Sequence, residues 1–313
     1  MKTFGSSFMA VLAAFGSVSA TARAACGTDA GFSLTDKTDG GNKVRPARLL
    51  NGAILFTSQL RVDIDGAPNA YHPLGRIDGK ALETICNGIA VTPHSGKHAG
   101  VKVTAEEPDT IDAEDRCQTI LDFFRASRDD HYSTQGADIK WIAIPVEKPP
   151  ADGHYFPCLQ KGGPTDGYFV SQTALENVEK GKPCDTSTWI NSLTIPYVVL
   201  PGSKLGDKVG LGDLALIYRR EGGAEYVAVA LAADVGPAEE VGEGSIALHR
   251  RLGNPAASGG KSGIDSGVTV FFFPGRRATL PVSDDWLQAQ QQALLHQLGG
   301  IDQVRACAGN SGG

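Results

Sequence analysis

Apolar positions in this chain fall into short runs rather than long helical stripes. "ARLLNGAILF" (47–56), "GVKVTA" (100–105), "IKWIAIPV" (139–146), "DGYFVS" (166–171), "TIPYVVL" (194–200), "DLALIYR" (213–219), "EYVAVALA" (225–232) and "GVTVFFF" (267–273) are β-branched or aromatic runs. Each is bounded by Gly, Pro, Asp or Asn, and each predicts a strand. Residues 213–232 read as a hairpin that turns at Arg220-Glu221-Gly222-Gly223. Helical spacing is rarer. Residues 110–126 put Cys117, Ile120, Leu121 and Phe124 on one face. Ser171 heads "QTALENVEKG", ended by Gly181, and Ser245 heads "IALHRRLG", ended by Gly253. Ser283 opens "WLQAQQQALLHQL", which Gly299-Gly300 stops. Its Leu287, Gln291, Leu294, Leu295 and Leu298 form a stripe suited to docking on the main body, with Cys307 as a tether. Pro255 to Gly263 reads as an exposed loop. Many short strands with few helices, and no internal repeat, predict a mainly β fold: a barrel or sandwich with helical insertions.

The first residues change the boundaries of that reading. Lys2, the apolar stretch Phe8–Ala20 and Ala22-Arg23-Ala24 have the form of a secretory signal peptide over 1–24. The apolar stretch is too short to span a bilayer, and no later run is long enough. The mature protein is therefore expected to be soluble and secreted, extracellular or periplasmic, without a membrane partner. All six cysteines lie beyond residue 24, and none forms a C-x-x-C pair. In an exported chain this favours three disulfides over zinc or redox chemistry, with the pairing open among fifteen arrangements. Removing Lys2 and Arg23 from 29 basic residues leaves 27 against 35 acidic ones, a net charge of −8. That excess argues against nucleic acid as a partner and suits a cationic ligand.

The acids that draw attention sit in "AADVGPAEEVGEGS" (232–245). Asp234 ends a predicted strand, and Glu243 stands just before the Ser245 cap. Gly236-Pro237 and Gly242 let the chain between them fold back. Cleaving a glycosidic bond takes one carboxylic acid to protonate the leaving oxygen and one carboxylate to activate water or attack the sugar. Spacing alone favours a solvated turn over that chemistry. Glu239 and Glu240, without glycine flanks, read as the solvated pair. Asp63 and Asp65, in "RVDIDGAPNAYHP", begin like a calcium loop but lack its third ligand and closing glutamate. They offer instead a paired site for an ammonium group, or a polar turn. His94 and His98 are spaced by "SGK" rather than in a helical H-E-x-x-H, so no metal is expected. No G-x-S-x-G or P-loop pattern is present, and Trp141 reads as core.

Several stretches resemble the fungal-type chitosanases of glycoside hydrolase family 75: "VDIDG", "DGYFVSQTAL", "TIPYVVLPG" and "LGDLALIYRREGGAEYVAVALAADVGPAEEVGEGSIALHRRLG". They stand in the family's order over roughly 50–275, and the D-x-G-P-x4-G-E-x-S pattern is the most specific. The same stretch is similar to double-psi β-barrel proteins, among them RlpA-like and MltA-like lytic transglycosylases and expansins. The resemblance implies a mainly β fold with a double-psi β-barrel-like core and a C-terminal helix. It implies a signal peptide (1–24), a catalytic barrel domain (25–275) and a helical extension packed on it (276–313). The implied activity is a secreted, endo-acting and inverting hydrolase of β-1,4-glucosaminidic links in chitosan, monomeric and without metal or cofactor. Asp234 and Glu243 are its implied catalytic pair, with Asp234 as acid and Glu243 as base, although sequence alone permits the reverse. Inversion goes with carboxyl groups about 6.5–9.5 Å apart. Asp63, Asp65, Glu176 and Asp213 are expected to line the groove and meet substrate ammonium groups. The alternative is a barrel of the RlpA-like or expansin-like sort that cleaves peptidoglycan or binds the wall.

Overall fold

A computed structural model describes residues 26–37, 43–76, 81–107, 110–179, 181–202, 205–259 and 262–309. The signal-peptide reading falls outside these residues. The strands are β1 (Thr28–Asp36), β2 (Lys43–Leu50), β3 (Ala53–Asp63), β4 (Ile89–Pro93), β5 (Ala137–Trp141), β6 (Tyr197–Pro201), β7 (Asp213–Glu221), β8 (Ala224–Gly236), β9 (Glu243–Ser245) and β10 (Ile264–Arg277). The main helices are α1 (Ala113–Asp129), α2 (Ile246–Arg251), α3 (Asp284–Ala289), α4 (Gln291–Leu298) and α5 (Ile301–Gly309).

The β7–β8 hairpin turns on Gly222 and Gly223, with Glu221 opposite Ala224. Both glycines have positive φ, 56° and 88°. That is the two-residue turn whose twist matches its flanking strands. Strands then run β3-β10-β7-β8-β6-β9, and β9 returns to β3, closing a six-stranded barrel. One edge of β3 pairs with β10, and the other serves two partners. Its first half pairs antiparallel with β2, and its second half pairs parallel with β9. β6 and β8 are also parallel, and the remaining ladders of the barrel are largely antiparallel.

Alternation along the strands sorts side chains to two cores. Ile54, Phe56, Leu60, Ala215, Ile217, Ala228, Ala230, Ala232, Val270 and Phe272 fill the barrel. Leu55, Leu214, Leu216, Val229, Leu231, Phe271 and Phe273 point outward and are covered by Leu287, Leu294, Leu295, Leu298 and Val304 of the C-terminal helices. The docking stripe is therefore real, but it is built from α3, α4 and α5 rather than one helix. Gln290 interrupts the first segment, and Gly299, at φ 95°, ends the second. A third core gathers Ile64, Tyr71, Ile85, Ile120, Phe124, Ile139 and Phe169, a lobe inserted between β3 and β6. Trp141 packs edge-on against Phe124, Tyr155 and Phe169 in that lobe, as core.

Three disulfides join Cys26 to Cys307, Cys86 to Cys117 and Cys158 to Cys184. The first ties the chain's two described ends together, and the second fixes the 85–87 turn to α1. Among the described residues no helix is long and apolar enough to cross a membrane.

Three local expectations fail. "GVKVTA" and "DGYFVS" make only single bridges, Val103 to Val91 and Phe169 to Leu159. "QTALENVEKG" is not a helix. Its N–H groups bond outside the segment, Ala174 to Asp234, and the donors that would carry an i→i−4 ladder go to the Ala233 carbonyl (Leu175) and the Thr188 carbonyl (Asn177).

Candidate active site

The seam β3-β9-β6-β8, parallel at β3–β9 and β6–β8 and antiparallel at β9–β6, builds the candidate site on the outer face of the barrel. On β3, Leu60 points inward, so Arg61 and Asp63 point outward. On β9, Glu243 is the direct partner of Arg61, and Ser245 is the partner of Asp63. On β6, Val198 points inward, which puts Tyr197 and Val199 outward beside them. On β8, a bulge between Ala232 and Asp234 resets the alternation and aligns Asp234 with Val199. Four strands therefore present Arg61, Asp63, Glu243, Tyr197 and Asp234 to one surface, which the 64–195 lobe flanks.

Backbone constraints hold these positions. Gly242, at φ 79°, has no room for a side chain: a Cβ there would lie 2.1 Å from the Gln59 carbonyl oxygen. Its own carbonyl accepts from the Arg61 N–H at 2.8 Å, which sets the register of the Arg61–Glu243 pair. Ser245 Oγ accepts from Leu248 N at 3.1 Å as the cap of α2 and from Tyr197 N at 3.0 Å, and it donates to the Ile195 carbonyl at 2.9 Å. The loss of that hydroxyl would loosen β6, β9 and α2 together. Gly66, beyond β3, is just as tight, since a Cβ there would meet the Ile190 carbonyl oxygen at 1.9 Å.

The carboxylates differ in their partners. Asp234 Oδ1 accepts from Val235 N at 2.8 Å and Ala174 N at 2.9 Å, which leaves Oδ2 free of the backbone. Burial, reinforced by Asp63, pushes its pKa up to about 8 against those two donors. Glu243 is likewise pushed up to about 8 by burial and by Asp63, and Arg61 opposes the rise. Arg61 Nη2 lies 3.3 Å from Glu243 Oε2 and 2.5 Å from Glu240 Oε2. Asp63 is buried and its carboxyl is raised by desolvation, although Oδ1 accepts from Asp65 N at 2.9 Å. Asp65 stands well above the usual carboxylate range, through burial and then through Asp63, Asp234 and Glu243, while Tyr71 donates to it at 2.9 Å. The phenols of Tyr71 and Tyr197 are raised well above their ordinary value by burial among these acids, so they act as neutral donors.

Asp63, Asp65 and Asp234 bring carboxylate oxygens within 4.8 Å of one another. A hard divalent cation takes six to eight oxygens. The three oxygens could supply part of such a set, with water and carbonyls completing it, and the same closeness lets the trio share protons.

The structure brings four sequence-expected residues together, Asp63, Asp65, Asp234 and Glu243. It places the other two elsewhere. Glu176 is exposed on the covering segment, bridged through its backbone to Trp189. Asp213 is buried at the start of β7, where Oδ2 accepts from Gly210 N at 2.8 Å and Arg277 stands 3.8 Å from Oδ1. It closes a loop rather than facing the acids. Glu240 is not part of a solvated pair, because its side chain is only 12% exposed and is clamped by Arg61. Glu239 remains solvated and pairs with Lys37. Arg61, Tyr71, Tyr197 and Glu106 were not foreseen. For Arg61 the signal was available, since Arg61-x-Asp63 on one strand shares a face at period two.

No family model matches the chain, and no curated protein matches it either. The likeness to chitosanases rests on the residues quoted above.

Proposed function

We propose that this chain is a secreted endo-acting glycosidase that hydrolyses β-1,4 links between glucosamine units of chitosan. The observation that carries the reading is the convergence of Asp63, Asp65, Asp234 and Glu243 on one face, with Asp234 and Glu243 each raised to about 8. Four acids against one arginine make a surface that favours a polycationic sugar over a neutral one. Ammonium groups of the polymer would in turn draw protons off the acids that do not need them.

Asp234 is suited to be the general acid. Oδ1 is fixed by two backbone donors, so the proton sits on Oδ2, and a raised pKa keeps it there at neutral pH. Glu243 is raised to the same value, so the base is whichever of the two gives up its proton first, and the Arg61 guanidinium beside Glu243 assigns that loss to it. In the reaction, water attacks the anomeric carbon and gives a proton to Glu243. The bond to the leaving oxygen breaks as that oxygen takes the proton of Asp234. Bulk water then restores both groups. Asp63 and Asp65, tied to Tyr197 and Tyr71, would meet substrate ammonium groups. Three disulfides support an oxidising compartment outside the cytosol.

The test is reducing-end release and viscosity loss with chitosan, for wild type beside Asp234→Asn and Glu243→Gln. We expect each substitution to lower kcat by at least about a hundredfold. Equal activity in all three would remove these two residues from the mechanism. Release from purified peptidoglycan but not from chitosan would move the reading to a wall-cleaving barrel.

A further inference from the structure

Beyond the catalytic pair, the outer face carries a charge arrangement that the reaction itself does not require. The Arg61 guanidinium reaches two carboxylates with the same nitrogen, Glu240 Oε2 at 2.5 Å and Glu243 Oε2 at 3.3 Å. The contact to Glu240 is the shorter. Arg61 Nε is buried without a hydrogen-bond partner, so the guanidinium is held by these two acids rather than by backbone on that side. Glu106 faces Glu240 and is raised to about 7 by partial loss of water and by the charge of Glu240. Glu240 lies on the 237–242 turn that Gly242 forces back against β3, and Glu106 comes from the inserted lobe.

We propose that Arg61 is the positioning residue of Glu243, and that its division between Glu240 and Glu243 sets the ionised fraction of the base. Glu240 competes for the guanidinium. One guanidinium nitrogen serves both carboxylates, and what Glu240 holds at the shorter distance Glu243 must share. The electrostatic setting of Glu243 thus extends through Arg61 to Glu240 and to Glu106 of the inserted lobe. The groups that face Glu243 are Arg61 and Asp63 from β3, Asp65 just beyond it, Glu240 from the turn, and Glu106 from the lobe. One step further out, Tyr197 on β6 stands among Asp63, Asp65 and Asp234, and His249 on α2 meets Arg61. The His249 ring meets the Arg61 carbonyl at 2.9 Å and is held neutral, its pKa lowered to about 4 by burial.

The inference rests on reading Glu243 as the base, so its test includes a measurement that does not depend on turnover. Full-length protein labelled with 13C at glutamate carboxyls is titrated by NMR, and Glu243 is assigned by its absence in Glu243→Gln. The two substitutions in the network push in opposite directions. Arg61→Gln removes the positive partner, and the Glu243 midpoint is expected to rise by about one pH unit. Glu240→Gln removes the competitor and a negative charge, and the midpoint is expected to fall by a similar amount. Arg61→Lys keeps the charge and is expected to stay nearer to wild type than Arg61→Gln. The acid limb of kcat/KM against pH on chitosan is expected to move with each midpoint. A role confined to structure would not give opposite shifts. A midpoint that stays still, or moves the same way in Arg61→Gln and Glu240→Gln, overturns the proposal. Should Arg61→Gln fail to fold, the Glu240→Gln titration decides, since no fall there overturns it. Opposite shifts in a protein that leaves chitosan intact would support the network and sink the glycosidase reading.

Discussion

Asp234→Asn is expected to make the protein more stable as it makes it inactive, and by an amount that grows with pH. Asp234 is raised to about 8 by burial and by Asp63, whereas an aspartate in the unfolded chain titrates near about 3.9. The folded state therefore holds a proton that the unfolded state has lost over the whole interval between those values. A group raised in this way contributes stability that is complete below about pH 4 and is lost as pH rises towards 8. At about 1.4 kcal/mol per pH unit, the penalty of wild type relative to an unperturbed acid reaches about 1.5 kcal/mol at pH 5 and about 5 kcal/mol at pH 8. Those are ceilings, because Asp63, Asp65 and Glu243 redistribute their protons when one acid ionises. Asparagine keeps the Oδ1 acceptor for Val235 N and Ala174 N, so the backbone bonds survive. It has nothing to ionise. Urea unfolding at pH 5 and pH 8 should show a gain for the variant that is larger at pH 8 by about 2 kcal/mol. A variant less stable than wild type at pH 8, or a gain equal at both pH values, would refute the electrostatic account of the site.

Two further substitutions probe the frame that holds the acids. Gly242→Ala places a Cβ at 2.1 Å from the Gln59 carbonyl oxygen in a left-handed conformation. It should cost about 2–4 kcal/mol in urea unfolding and lower kcat more than it raises KM, because it displaces Glu243; unchanged stability would show that the turn relaxes freely. Replacing Cys26 and Cys307 by serine opens a link between residues 281 apart in sequence. It should lower stability by up to about 5 kcal/mol and speed hydrogen exchange in α3–α5, and unaltered protection there would mean that packing alone holds the helices.

What could be read from the sequence was set by how each segment satisfies its backbone. β7, β8 and β10 are buried on both faces, so their residues announce strands however the barrel closes, and Gly222-Gly223 marks the turn between the first two. β9 has three residues and no pattern of its own, yet it closes the barrel and carries Glu243. It was legible only through what surrounds it, the Gly242 that turns the chain and the Ser245 that caps α2. The segment after Ser171 misled for the opposite reason. Its composition suits a helix, but its N–H groups are claimed by Asp234 and by β8, partners more than fifty residues away, and no local signal records such a claim. Glu240 misled in the same way, since a charged residue beside glycine and proline reads as solvated until an arginine from another strand reaches it. Arg61 shows where sequence reading stopped short of what it held. Its period-two relation to Asp63 placed both on one face, and the parallel β3–β9 register did the rest by setting Glu243 opposite. A candidate site of this kind lies in cross-strand register more than in motif, and register is the property that a single chain of letters carries least.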